Sequence, residues 1–491
     1  MGRKQLGLFL ALVVAASGCS DSEDVMPGID GGGDSGTGNI DSGPGTDLGV
    51  DLGIATDGGM SIDSGPGTDA GPECPALSAR TVVTISAEIT ESATWTCNNL
   101  YVLNDLIFVR SPAVITIEPG TIVQGNDLSA LIMTPGSRLV ADGTASRPIL
   151  FTSSKSAGER SHGDWGGLVM LGNAPINLQS EGAPVRGQVE GIDASDMRGQ
   201  YGGSDATSSC GTLRYARIEF AGYAIAVDNE LNGLTLAGCG SDTIIDYVQV
   251  HRGDDDGVEI FGGTVDIKHI VITGALDDCL DWDQGWTGRG QFIIAQQHSG
   301  SETGIEADNN RSNNDLTPRS APTLWNVTLV GTNNSAEAQF AADFRRGTAG
   351  LLHNVIMMGF PRTSVDVRDA SSVAQTASGA LDVTNAMFFQ VGADGMTYFA
   401  TEEGDADNDA SFDESAFFMS STRMNTFGTD PMLGAPYNIA APNFAPAAAS
   451  AAGSSAATPP STFFDATATY RGAIAPGGSD WTSGWTAYPE N

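Results

Sequence analysis

The sequence predicts an all-β protein whose main domain is a right-handed parallel β-helix with loop insertions, preceded by a disordered tether. Glycine accounts for 63 of 491 residues, and short apolar stretches alternate with Gly, Asn and Asp turns from Val82 onward. None of these stretches has the three-and-four spacing of a long amphipathic helix. The even hairpin spacing of a β-sandwich and the blade motifs of a propeller, which are the alternative folds, are also missing from the sequence.

One strand-like unit recurs in the second half of the chain. Its copies begin at Tyr215, Tyr247, His269, Asn326 and Asn354, so successive starts lie 32, 22, 57 and 28 residues apart. A step near 22 residues is typical of one β-helix rung with three short strands and three turns. We therefore expect the longer steps to contain loop insertions or an unrecognised rung. Asn side chains at the repeated turn are expected to form an amide ladder.

Two further segments have an expected place in the solenoid. Residues 178–211 are rich in Gly, Ser and Asp, which predicts a long insertion on one face. Trp481 and Trp485 near the end of the chain are expected to cap the open end of the solenoid.

The first 18 residues predict a signal peptide. Arg3 and Lys4 precede an apolar run over 6–16 that is too short to span a membrane comfortably. The run ends in Ala16-Ser-Gly-Cys19, which resembles the lipobox of bacterial lipoproteins, with Ala16 where Leu is usual. The resemblance implies that Cys19 is lipidated and that the protein is anchored at the outer membrane, facing the periplasm or the cell surface. The alternative is an ordinary signal peptide with a chance Cys.

Residues 19–73 predict a disordered tether. The segment is rich in Asp, Gly and Ser, and no Lys or Arg occurs between Lys4 and Arg80. Such a composition buries too little apolar surface to offset its chain entropy, so we expect a spacer that holds the β-helix domain, residues 74–491, away from the membrane. A Ca²⁺-binding Asp/Gly repeat is the alternative interpretation of this segment.

Charge excludes some classes of protein. The formal charge is 23 − 60 = −37, so the Lys and Arg clusters that neutralise phosphates are missing and no nucleic-acid partner is expected. The only long apolar run is the N-terminal one, which argues against a polytopic membrane protein.

The cysteines predict two disulfides. Once Cys19 is set aside, five cysteines remain in an exported chain, so at least one thiol is left over. Pairing Cys74 with Cys97 and Cys210 with Cys239 closes the shortest loops, which leaves Cys279 free.

Acidic residues recur at the rung spacing. Asp254, Asp255 and Asp256 are followed about one rung later by Asp277 and Asp278. Neighbouring rungs would bring these carboxylates about 5 Å apart. Further acids at a similar step are Glu259, Asp281, Asp283, Glu306, Asp308 and Asp343. Such a column needs a cation, raised pKa values or nearby Arg. Ca²⁺ suits it because this ion takes six to eight oxygen ligands, and the predicted metal ligands are Asp254, Asp255, Asp281 and Asp283.

The motifs Gly163-Asp-Trp-Gly-Gly167, Leu213 to Gly222, Asp255 to Val265 and Phe344 to Thr348 resemble a family of uncharacterised exported bacterial β-helix lipoproteins. The resemblance covers roughly residues 100–490 and implies fold and export, but no activity.

Asp256-Gly-Val-Glu-Ile and Asp277-Asp278-Cys279-Leu280 more locally resemble the paired-carboxylate pattern of polygalacturonases, which are β-helix hydrolases. The resemblance implies that Asp256, Asp277 and Asp278 are the acid and base carboxylates and that His298 is a catalytic His. Here His298 stands in Gln-His-Ser-Gly rather than Gly-His-Gly, and the family's later Arg-x-Lys motif is absent.

Four further residues are predicted to contact a ligand. Trp282 and Trp286 flank the acidic column and could stack on sugar rings, although packing under a loop is the alternative. Arg345 and Arg346 form the nearest basic pair. The leading hypothesis is a lipoprotein that binds an extracellular or cell-wall polysaccharide through an acidic, Ca²⁺-loaded face. The alternatives are a polysaccharide hydrolase, or less plausibly a lyase, at the same place, and a purely structural surface protein.

Overall fold

The computed structural model describes residues 73–226, 229–399, 408–409 and 411–491. The predicted signal peptide, Cys19 and nearly all of the predicted tether lie outside these residues. Within them the chain forms a parallel β-helix, as the sequence predicts. No helix in the described ranges combines the length and apolar character needed to cross a bilayer.

One face of the β-helix is a parallel sheet in which the described residues supply nine strands. Its strands are Leu106–Val109, Ala130–Met133, Leu168–Leu171, Leu234–Ala237, Val258–Phe261, Leu280–Asp283, Ile305–Ala307, Phe340–Phe344 and Thr363–Val367. We call it the nine-stranded sheet.

The other two faces are continuous with each other in a sheet to which the described chain contributes sixteen strands. Its strands are Thr81–Ile85, Ala93–Trp95, Asn99–Leu103, Val114–Ile117, Ile122–Gly125, Arg138–Asp142, Ile149–Ser153, Gly211–Glu219, Ile244–His251, Asp266–Thr273, Arg289–Gln296, Thr323–Val330, Gly350–Met358, Leu381–Thr384, Met387–Phe389 and Thr426–Phe427.

A single left-handed residue bends each long strand of this sheet from one face to the next. The positions with positive φ include Tyr215, Tyr247, His269, Phe292 and Asn326. The four aromatic rings of this row stack from rung to rung, with centroids 4.4 Å apart for Tyr215 and Tyr247 and 4.1 Å apart for Tyr247 and His269. We call this row the bend ridge; Asn354 and Asn385 continue it.

The unrecognised rung is Arg289–Gln296. Ile267 pairs with Gly290 and Arg289 pairs with Thr323, so one complete rung lies between the units that begin at His269 and Asn326. The other residues of the 57-residue step form loops. The step therefore contains an unrecognised rung and loop insertions, as expected.

The core fills the inside of the solenoid with side chains from all three faces. In the nine-stranded sheet, Leu280 and Trp282 point into this core, whereas Asp281 and Asp283 point to the opposite face. The alternation determines which residues can form a site on the outer face.

The predicted insertion is present and lies over the outer face of the nine-stranded sheet. It carries the short hairpin strands Gln179–Ser180, Ala183–Pro184, Gly187–Gln188 and Gln200–Tyr201. Tyr201, Val189 and Ile192 pack in one buried cluster with outward residues of the sheet such as Val169 and Phe261. This cluster holds the insertion on the sheet.

Smaller elements complete the described chain. A helix, Ala370–Ser378, begins at Asp369, whose side chain accepts hydrogen bonds from two backbone N–H groups, and ends at Gly379 with φ 77°. A second helix spans Glu414–Phe418, and two further hairpins pair Ala224–Ala226 with Asn229–Glu230 and Leu433–Ala435 with Asn443–Pro446.

The C-terminal segment, residues 443–491, folds back along the bend ridge. Asn326 donates hydrogen bonds to the carbonyls of Ala468 (3.1 Å) and Tyr470 (2.7 Å), and Asn354 donates to the carbonyl of Ala457 (2.9 Å). The predicted amide ladder is therefore wrong, because these amides bind the returning chain.

The expected end cap is also wrong. The ring of Trp485 lies 5.9 Å from Tyr215 and 6.0 Å from Tyr247, so it packs on the side of the solenoid, midway along its length. Trp481 likewise contacts His269 at 5.0 Å. The aromatic rings of the bend ridge offer these indoles an apolar surface to pack against.

Both predicted disulfides are present. Cys74 is bonded to Cys97 and Cys210 to Cys239, while Cys279 is a free, buried thiol. Burial raises the pKa of Cys279, so it behaves as an inert core residue.

Candidate functional site

The outer face of the nine-stranded sheet and the turns that lead into it carry a dense group of carboxylates, which we call the acidic patch. Its members are Asp255, Asp256, Glu259, Asp277, Asp278, Asp281, Asp283, Glu306, Asp308, Asp343 and Asp366.

Strand register aligns five of these acids in one row. Glu259 pairs with Asp281, Asp281 with Glu306, Glu306 with Asp343, and Asp343 with Asp366. Neighbouring parallel strands lie about 4.8 Å apart, so each carboxylate has a like charge one strand away. The row exists because the parallel register aligns the second residue of three successive strands with the fourth residue of the last two strands, Phe340–Phe344 and Thr363–Val367.

The turns before two strands add four more acids, while Asp283 ends the strand Leu280–Asp283 and Asp308 follows Ile305–Ala307. Asp255, Asp256 and Asp277 present carboxylate oxygens that all lie within 4.8 Å of one another. The backbone N–H of Asp278 donates to Oδ1 of Asp256 at 3.0 Å. Residues from neighbouring rungs therefore meet in one cluster, as the sequence spacing predicts.

Most of the acidic patch is enclosed. Asp281 is 0% exposed and Asp256, Asp278 and Glu259 are each 3% exposed. The insertion closes over the patch, where Asn177 donates to the carbonyl of Asn309 at 2.8 Å and the hydroxyl of Tyr201 donates to Oε1 of Gln284 at 2.7 Å. Asp255 and Asp277 are only partly buried, so they mark the edge that faces solvent.

Burial raises the pKa values of these acids. It raises the pKa of Asp277 to about 7, with a contribution from Glu302, and the pKa of Asp283 to about 7, with a contribution from Asp308. Burial and neighbouring carboxylates hold the pKa values of Glu259 and Asp281 well above their ordinary range. Without a cation, the folded patch therefore retains protons that the unfolded chain releases.

Arginines neutralise one end of the acidic patch. Arg345 pairs with Glu306 and Asp308, and Arg346 pairs with Asp308 at 2.5 Å. Arg368 lies 2.8 Å from Asp343 and 3.3 Å from Asp366. Arg345 and Arg346, which were predicted to contact a ligand, are thus occupied as counterions of the patch.

The opposite end has no such partners. In the described chain, no ion pair involves the unpaired end, whose members are Asp255, Asp256, Glu259, Asp277, Asp278 and Asp281. Both carboxylate oxygens of Asp281 are buried without a hydrogen-bond partner among the described residues. An enclosed carboxylate with neither a donor nor a counterion is costly, which fits a position that a cation completes.

Two groups at this end could hold a metal ion. One consists of Asp255, Asp256 and Asp277, and the other of Asp256, Glu259 and Asp281, each with oxygens within 4.8 Å of one another. Asp256 belongs to both.

The predicted metal ligands are only partly brought together. Asp255 and Asp281 each belong to one of these two groups, whereas Asp254 and Asp283 belong to neither. Asp254 is exposed, and its backbone N–H donates to the carbonyl of Ala221 at 2.9 Å, whereas Asp283 accepts a hydrogen bond from the backbone N–H of Gln284 at 2.5 Å.

Among the described residues, no hydrogen bond or ion pair links His298 to the predicted catalytic carboxylates. Its ring centroid is 6.2 Å from that of His251, and burial with the nearby Arg252 lowers its pKa to about 4. Its Nε2 atom is buried without a hydrogen-bond partner in the described ranges. The structure brings Asp256, Asp277 and Asp278 together but does not join His298 to them.

The predicted sugar-stacking tryptophans are inside the solenoid. Trp282 and Trp286 are both 0% exposed, with ring centroids 5.7 Å apart. The Nε1 atoms donate to Oγ1 of Thr348 and to the carbonyl of Val265. Both tryptophans therefore pack in the core, and the prediction that they stack on sugar rings is wrong.

Sequence reasoning missed three polar residues of the site. Asp366 extends the carboxylate row by one strand, Asn232 donates to Glu259, and Glu190 of the insertion lies close enough to raise the pKa values of Asp255 and Glu259. The alternation in Thr363–Val367 could have revealed Asp366, whereas only folding of the insertion brings Glu190 here.

Fold and site together define a parallel β-helix with an enclosed acidic patch on one sheet. The chain belongs to the family of pectate-lyase-like β-helix domains, whose family model matches residues 87–430. No curated protein and no solved structure matches the chain. The family match does not concern export or lipidation, which stay predictions.

Proposed function

We propose that the protein binds an extracellular or cell-wall polysaccharide and that the unpaired end of its acidic patch is loaded with Ca²⁺. The observation that carries the proposal is Asp281, an enclosed carboxylate that has neither a hydrogen-bond donor nor an ion-pair partner among the described residues and is surrounded by further carboxylates. A pectate-lyase-like β-helix is compatible with a polysaccharide partner.

The chemistry of the donor set favours Ca²⁺. The two candidate groups offer carboxylate oxygens only, and hard cations with flexible coordination prefer such ligands. Asp256 would be shared, Asp281 would bind from the enclosed side, and Asp255 and Asp277 from the solvent edge. Bound Ca²⁺ would fix the turns at this edge, where a glycan has access to the protein.

The binding proposal is tested on protein freed of metal with a chelator. Calorimetric titration with CaCl₂ should show binding that Asp281→Asn weakens at least about tenfold, equivalent to about 1.4 kcal/mol. Asp242→Asn is the matched control because Asp242 is exposed and lies outside the patch. If the protein takes up no Ca²⁺, the proposed metal site is wrong. If the protein binds no polysaccharide on a glycan array, the proposed polysaccharide partner is wrong.

A second candidate function is glycan hydrolysis. Asp277 is partly exposed, its pKa is raised to about 7, and Asp255 and Asp256 offer oxygens within 4.8 Å. A carboxyl group that is protonated near neutral pH can act as a general acid, and an adjacent carboxylate can act as nucleophile or base. The short separation favours retention of anomeric configuration, since inverting pairs lie about 6.5–9.5 Å apart.

Measurement of product formation distinguishes an enzyme from a binding protein. Reducing-sugar release that Asp277→Asn abolishes, with an unchanged melting temperature, would support the hydrolase, and an unsaturated product would indicate a lyase. Binding without product supports the primary proposal. Neither binding nor product would leave a structural surface protein.

The anchor is a separate proposal. The motif ending at Cys19 supports lipidation and attachment to the outer membrane, although Cys19 lies outside the described residues. Cys19→Ser should release the protein from membranes into the soluble fraction, and a variant that still needs detergent for extraction would contradict lipidation at this Cys.

A further inference from the structure

The insertion also helps to form a cleft of opposite charge, away from the residues of the acidic patch. Three arginines, Arg110, Arg186 and Arg198, line a cleft with a volume of about 310 Å³ together with Ser111, Asn173 and Gln200. We call it the arginine cleft. It shares no residue with the acidic patch, and its volume suits a ligand the size of one sugar.

Folding of the insertion assembles this cleft. Arg110 follows the strand Leu106–Val109, whereas Arg186 and Arg198 belong to the insertion. The chain has only 23 Lys and Arg residues against 60 acids. Three arginines at one cleft are therefore a marked local reversal of the overall charge.

Two carboxylates balance only part of this charge. Glu88 lies 3.3 Å from Arg110 and 3.5 Å from Arg198, and Asp196 lies 2.6 Å from Arg198. The guanidinium of Arg198 also lies over the ring of Phe108, 3.9 Å from its centroid, which fixes one wall of the cleft.

Arg186 supplies the remaining positive charge. Its Nη2 atom donates to Oδ1 of Asn173 at 3.2 Å and lies 3.5 Å from the carbonyl of Gln200. The described chain brings no carboxylate into ion-pair distance of Arg186. Three arginines and two carboxylates thus leave one net positive charge, beside hydroxyl and amide groups at Ser111 and Gln200.

We propose that the arginine cleft binds an anionic group, a carboxylate or a sulfate, with Arg186 as its principal partner. The planar guanidinium fork matches both oxyanions in a bidentate manner. The net charge of the protein repels anions elsewhere on its surface, so the cleft is where an anionic substituent can be held. This inference does not depend on the acidic patch or on Ca²⁺.

The test is a calorimetric titration of the full chain in chelator, at fixed ionic strength, with D-glucuronate, inorganic sulfate and D-glucose. Glucuronate should bind in the millimolar range or more tightly, and glucose should not bind. If sulfate and glucuronate bind equally tightly, the cleft recognises only the oxyanion. If glucuronate binds more tightly, the sugar ring also contributes to binding.

Two variants decide whether Arg186 carries the binding. Arg186→Gln should weaken glucuronate or sulfate at least about tenfold. Arg138→Gln, at an exposed arginine on the strand Arg138–Asp142, should change nothing. Arg186→Lys should fall between the two, because it keeps the charge but loses the fork. Equal losses in Arg186→Gln and Arg138→Gln would overturn the proposal, as would the absence of binding by either anion.

Discussion

At the scale of a residue, burial and neighbouring carboxylates strongly disfavour a negative charge on Asp281 of the acidic patch. It stands between Glu259 and Glu306 in the row of in-register carboxylates, fully enclosed, with no donor to either oxygen in the described chain. A buried ionised carboxylate that lacks a partner destabilises the fold, whereas the same group stabilises the fold as a cation ligand. The sign of its contribution should therefore depend on Ca²⁺.

Asp281→Asn should consequently have opposite effects in two media. In chelator, the variant should have a free energy of unfolding about 1–3 kcal/mol higher, because Asn is neutral without having to retain a proton that the unfolded chain releases. In excess CaCl₂ the variant should be less stable than the parent, because a ligand of the ion is lost. Urea denaturation in both media measures this, with Asp242→Asn as the control. A loss of equal size in both media would show that Asp281 has only a packing role.

At the scale of an element, the bend ridge carries strain that its neighbours offset. A non-glycine residue in the left-handed region costs on the order of 1 kcal/mol, and the ridge contains such a residue on every rung from Tyr215 to Asn385. Ring stacking offsets this cost at Tyr215, Tyr247 and His269, whereas hydrogen bonds to the C-terminal segment offset it at Asn326 and Asn354.

Asn326→Ala should therefore loosen the C-terminal segment. The substitution removes the hydrogen bonds to the carbonyls of Ala468 and Tyr470 and the one that Asn326 Oδ1 accepts from Gln291. It also places Ala, which tolerates positive φ poorly, at a φ of 56°. We expect a loss of about 2–4 kcal/mol and faster amide exchange over residues 465–472. Asn385→Ala is the matched control, because it holds the same bend position with a single, exposed bond to Ser455 and should cost less.

The sequence predicts those elements that repeat with a regular period. The rungs and the cluster of Asp256, Asp277 and Asp278 repeat at the rung spacing, so they could be predicted. The rung at Phe292 was missed because its bend residue is neither Asn, Tyr nor His. The returning C-terminal segment has no repeat at all, and its contacts depend on side chains of distant rungs. The strand Leu280–Asp283 did contain one overlooked signal. Because side chains alternate along a strand, Trp282 must point to the other face of the sheet from Asp281 and Asp283.

At the scale of the whole molecule, several groups bind protons differently in the folded and unfolded states. Burial lowers the pKa of His251 to about 3 and the pKa of His353 to about 4, so these residues make the fold less stable as pH falls. The acidic patch acts in the opposite direction. The folded pKa values of Asp277 and Asp283 are about 7, against about 4 in an unfolded chain. The folded state therefore binds the extra protons, and stability is lost as pH rises through this window.

If Ca²⁺ binds as proposed, it separates the two contributions, because the ion would compete with protons at the acidic patch and not at the histidines. The difference in free energy of unfolding between excess CaCl₂ and chelator should be small at about pH 5 and should grow by at least about 2 kcal/mol at about pH 8. The histidine contribution is common to both media and cancels in this difference. Urea denaturation at a series of pH values in each medium provides the measurement, and proton release during Ca²⁺ titration near neutral pH gives an independent check. A Ca²⁺-dependent difference that stays constant with pH would mean that the ion binds away from the protonated carboxylates.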